Sequence, residues 1–79
     1  MSRALYVVIL SQGRWWVDLE GKAHGPFTSL EDATAEGTQM ARFAAHTGRP
    51  SEVLIPDDYG RYRVAWTSEK EPYAATDAA

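Results

Sequence analysis

Few side chains in this sequence are types that carry chemistry. His24 stands in a glycine-bracketed stretch, and His46 lies near the end of a periodic segment. Two imidazoles could shuttle a proton or hold a metal. No H-x-H or H-x-x-x-H spacing links them, so solvated or helix-capping histidines are the expectation. Asp57 and Asp58 adjoin as a cation site would require. Paired aspartates before Tyr59-Gly60 are, however, ordinary turn chemistry. The serines have no base placed beside them, and there is neither a nucleophile elbow nor a phosphate loop. Cysteine is absent, which excludes disulfides and thiolate chemistry. The expectation is a non-enzymatic protein, with no catalytic residue, metal ligand or cofactor assigned.

A second set of residues suggests binding. Arg14, Trp16, Leu54, Arg61 and Arg63 lie in runs that alternate like strands, and alternation places them on one side of those runs. Tryptophan and arginine are enriched where protein surfaces meet. The same types can also stack bases and meet phosphates. The alternative is therefore a single-stranded nucleic-acid module, with Trp16 and Tyr6 as platforms and Arg14, Arg61 and Arg63 on the backbone. Net charge −3 and pI near 5.2 count against it, because phosphate binding needs a positive field. A third possibility is an ordinary sheet face covered by the C-terminal tail.

The elements that must position these residues centre on Thr28–Gly48. Thr28 with Glu31, and Ser29 with Asp32, both fit a capping box. Acidic residues crowd the first half of this segment, Arg42 and His46 the second, and Gly48 then Pro50 end it. Leu30, Ala33, Gly37, Met40, Ala41 and Ala44 share one helical face, with Phe43 expected to cover its edge. Gly37 costs about 1 kcal/mol against alanine within a helix, so close approach of bulky sheet residues such as tryptophan is expected there.

On either side lie short alternating runs. Leu5–Leu10 and Arg14–Glu20 read as a hairpin about Ser11-Gln12-Gly13. Trp15, Val17 and Leu19 should point to the core, and Trp16 outward with Arg14 and Asp18. For the first strand, either Leu5/Val7/Ile9 or Tyr6/Val8/Leu10 faces outward. Gly21–Phe27 reads as a loop. Glu52–Pro56 and Arg61–Ser68 form a second hairpin, with Tyr62, Val64 and Trp66 on one face and Arg61, Arg63 and Ala65 on the other. The predicted fold is α+β, a two-layer ββαββ unit: a four-stranded, mainly antiparallel sheet with one helix on one face. Residues 1–68 form this single domain and 69–79 a flexible tail.

Several spacings also resemble those of a family of small bacterial domains of unknown function. Gly13, Trp15, Val17, Glu20 and Gly21 match G-x-W-x-V-x-x-E-G. Phe27, Ser29, Ala33 and Ala41 follow, and Asp58, Gly60, Arg61, Tyr62, Arg63 and Trp66 match D-x-G-R-hydrophobic-R with its terminal aromatic. The third strand departs from the pattern, carrying Val53-Leu54-Ile55 where the family is more polar. The resemblance implies the ββαββ fold and no particular activity.

The working expectation is a cytoplasmic interaction or accessory module. It would associate with itself as a homodimer, or with another protein, through the outer sheet face. No membrane association is expected, since the apolar run Ala4–Leu10 is too short to span a bilayer.

Overall fold

Two dipeptides, Gln12-Gly13 and Glu20-Gly21, reverse the chain in the same way. Both residues of each adopt positive φ (54° and 77°, then 54° and 88°), the requirement of the type I′ turn that matches strand twist. Three antiparallel strands result: β1 (Ala4–Ser11), β2 (Arg14–Leu19) and β3 (Lys22–Phe27). The computed structural model describes residues 3–70. Helix α1 (Leu30–His46) follows, then β4 (Ser51–Pro56), β5 (Tyr62–Thr67) and a 3₁₀ turn, Ser68–Lys70.

The five strands form one mixed sheet in the order β3-β2-β1-β4-β5. This corrects the predicted four-stranded ββαββ sheet: the order is βββαββ, and β4 lies parallel to β1. The segment read as a loop is β3. Its residues, Lys-Ala-His-Gly-Pro-Phe, lack apolar alternation, and backbone pairing to β2 holds it at the sheet edge. Gly25 sits where the register slips. A Cβ there would lie 3.1 Å from the Trp15 carbonyl oxygen and 3.2 Å from the Phe27 ring.

Ser29 wins the competition to cap α1: its hydroxyl accepts from the Asp32 amide at 3.0 Å. The predicted small-residue stripe is the buried one, with Ala33, Gly37 and Ala41 against the sheet and Leu30, Met40 and Ala44 at its margins. Opposite them are Ala4, Tyr6, Val8, Val17, Val53 and Ile55. Valines, not tryptophans, approach the centre of the stripe. A Cβ on Gly37 would meet Val17 at 3.5 Å and Val53 at 3.7 Å, which is ordinary contact. Trp15, Phe27 and Trp66 are partly buried at the core's margin, and Phe43, predicted to cover the stripe's edge, is 72% exposed.

The last two residues of the 3₁₀ turn, Glu69 and Lys70, open the stretch assigned to the tail; the rest of that stretch, 71–79, lies outside the described residues. Among the described residues no helix is long and apolar enough to cross a membrane.

Candidate interaction face

The helix covers one side of the sheet, and alternation decides what the other side shows. On β1, Ala4, Tyr6 and Val8 are buried beneath α1, so Leu5, Val7 and Ile9 face outward. On β2, Val17 is buried and Trp15 and Leu19 pack on the core, so Arg14, Trp16 and Asp18 face outward. Residues directly opposite on neighbouring strands share a face. Ile9 is opposite Trp16, Val7 lies between Asp18 and Leu54, and Leu54 is opposite Val64. These pairs form an outer apolar band in which Val64 is 47% exposed and Trp16, Ile9, Val7 and Leu54 are half-buried; Leu5, opposite Glu52, lies beside it and is 42% exposed.

The sheet changes the predicted grouping on β5. Val53 pairs with Trp66 but Leu54 pairs with Val64, so Ala65 is an extra, bulged residue. Its insertion reverses the alternation. Trp66 joins the core, whereas Val64 and Tyr62, opposite Leu54 and Pro56, turn outward. Arg63, opposite the buried Ile55, stands on the helix side, exposed where α1 does not reach.

Arg61 lies in the β4–β5 turn. Its Nε is 3.5 Å from Asp57 Oδ2 and its guanidinium 5.6 Å from the centre of the Tyr59 ring. Asp57 organises that turn as the sequence suggested, its Oδ1 accepting from the amides of Tyr59 and Arg61 at 2.8 Å each. Of the five residues singled out from the sequence, the structure therefore brings Arg14, Trp16 and Leu54 to one face and sets Arg61 and Arg63 elsewhere. Tyr6 is 5% exposed beneath α1 and is no stacking platform.

Outward-facing Tyr62 was missed by strand alternation. Its hydroxyl donates to the Val8 carbonyl at 2.9 Å. Ala4 N–H donates to the Pro50 carbonyl at 2.9 Å, so Ala4, Tyr6 and Val8 are the residues of β1 that bond towards β4. The ladder would then send the Val8 carbonyl to the amide of residue 56, which is proline and has none. The Tyr62 hydroxyl supplies the missing donor.

Charge on this face is sparse. Glu52, outward on β4, is 3.5 Å from Arg3 and accepts from Thr67 at 3.4 Å. Arg3 also pairs with Glu69, and Arg49 with Glu20. His24 lies exposed on β3 and His46 exposed at the end of α1. Among the described residues no group of three or more His, Asp or Glu side chains could hold a metal ion.

Neither free sheet edge offers a long, regular ladder. β3 carries Lys22, Pro26 and a register slip, and β5 carries Arg63 and a bulge, features that discourage strand addition. Comparison with family models, with curated proteins and with solved structures found no match to this chain. The likeness to small bacterial domains rests on its residues alone.

Proposed function

We propose that this protein is a small non-enzymatic interaction module that pairs with a second copy of itself through the outer face of its sheet. The observation that carries this reading is the apolar band from Trp16 and Ile9 through Val7 and Leu54 to Val64. Among the described residues no element packs over it. A contiguous apolar band left uncovered is unfavourable in water and marks a place of association. Blunted edges favour stacking of faces over joining of edges.

Five strands about 4.8 Å apart, four of six residues and one of eight, present roughly 500 Å² in projection. A standard interface takes about 800 Å² of accessible surface from each partner. Side chains standing off the sheet raise its accessible area above the projection, which leaves the pair at the smaller, weaker end of the range. The reading sets the protein in the cytoplasm, where a chain without cysteine needs no oxidising environment.

Sedimentation equilibrium of the full chain tests it. The wild type is expected to be a reversible dimer. Trp16→Ala should shift it towards monomer with its circular dichroism unchanged, because Trp16 lies outside the core cluster. A wild type that stays monomeric at about 1 mM, well above the range of useful weak association, overturns the proposal.

A further inference from the structure

Resting on the self-association just proposed, we infer that Asp18 limits its strength and keeps the pair reversible, by placing an uncompensated carboxylate beside the apolar band. Asp18 is the next outward residue after Trp16 on β2, and it stands opposite Val7 on β1. Val7 is opposite Leu54, and Leu54 opposite Val64, so the carboxylate ends the row that carries the association. A second copy that covers Trp16 and Val7 therefore covers Asp18 as well.

Among the described residues nothing on the face neutralises it. Glu52, the outward carboxylate of β4, is held by Arg3. Asp18 has no such ion pair, and its other neighbour across the ladder is Ala23 on β3. It accepts only weakly, from the Gly21 amide at 3.4 Å. Arg14, the outward cation of the same strand, stands four residues away, about 13 Å. Half-buried in the single chain, Asp18 keeps part of its hydration. Stacking removes that water and returns no opposite charge, a net cost to association. Turning the sheets until the partner's Arg14 meets Asp18 would lay the Val7–Leu54–Val64 row over the partner's Ser11 and Arg14 end, and the apolar contact would be lost.

Dimer dissociation constants of the full chain, from sedimentation equilibrium, test this with Asp18→Asn beside Asp58→Asn. Asparagine keeps the shape and the acceptor of Asp18 and removes its charge. Asp58 is exposed in the β4–β5 turn, so its substitution makes the same change in net charge outside the band. Asp18→Asn should tighten the dimer about tenfold, since each pair buries two such carboxylates. Asp58→Asn should leave it within about twofold of wild type. An Asp18→Asn dimer no tighter than wild type, or an equal gain from Asp58→Asn, overturns the role of Asp18 and leaves self-association standing. A monomeric wild type whose Asp18→Asn variant dimerises keeps that role and removes the self-association of the wild-type chain. If both stay monomeric at about 1 mM, both readings fall.

Discussion

Tyr62 shows how one hydroxyl can complete a backbone ladder. Proline ends β4 without a donor, and the phenol reaches across from β5 to the carbonyl that the proline amide would have served. Tyr62→Phe keeps the ring and removes the donor, so it should cost about 1 kcal/mol in urea unfolding, the typical worth of such a bond. Tyr6 makes a different statement. Burial pushes its phenol above the ordinary tyrosine value of 10.0; Arg49 opposes the shift and Glu20 adds to it. The fold therefore favours the neutral ring. That contribution is complete below the unfolded value and is lost as pH rises through the raised folded value. Phenolate absorbance in an alkaline titration should show one tyrosine ionising late, and stability should fall above pH 10 rather than below it. A Tyr6→Phe variant that kept the same alkaline loss would assign the effect elsewhere.

Elements here are governed by punctuation as much as by propensity. β3 exists because Glu20-Gly21 is a hairpin turn of the same type as Gln12-Gly13. That repeated X-Gly signal was present in the sequence, behind a segment whose own residues argue against a strand. The β5 bulge left no comparable mark, because Ala65 is an ordinary strand residue whose extra count emerges only from pairing with β4. The helix behaves more simply. Its cap, its end and its buried stripe follow from residue types and a period of 3.6. Gly37 is the exception, since Val17 and Val53 leave ordinary contact room for a methyl group. Gly37→Ala should therefore stabilise the protein by about 0.5–1 kcal/mol by restricting the unfolded chain and favouring the helix. A loss in thermal unfolding would mean that the added methyl group does not fit against Val17 and Val53 as those distances predict.

At the scale of the whole molecule, a five-stranded sheet has two faces and one helix covers one of them. A chain of 79 residues has little core to spare, so shielding the second face would contribute materially to stability. Self-association should make the melting temperature rise with protein concentration, by mass action. Trp16→Ala should flatten that dependence. The same face should not take up single-stranded nucleic acid. Net charge is −3, and of Arg14, Arg61 and Arg63 the structure leaves Arg14 alone beside Trp16. Oligonucleotides at low salt are accordingly expected not to quench tryptophan fluorescence.

By itself the sequence determined what is local. The helix and its small inner stripe, the first hairpin, the turn built on Asp57, and the opposite facing of Trp15 and Trp16 all depend on neighbours within a few residues, where period and turn chemistry act directly. Tertiary structure alone decided what depends on distant pairing. It set β4 parallel to β1 and settled Leu5, Val7 and Ile9 as the outward residues of β1. Through one bulged residue it kept Trp66 on the core, turned Tyr62 and Val64 outward and carried Arg63 to the helix side. A strand's faces alternate by single residues, so one insertion in a remote ladder reverses every side chain beyond it, and no local pattern records that count.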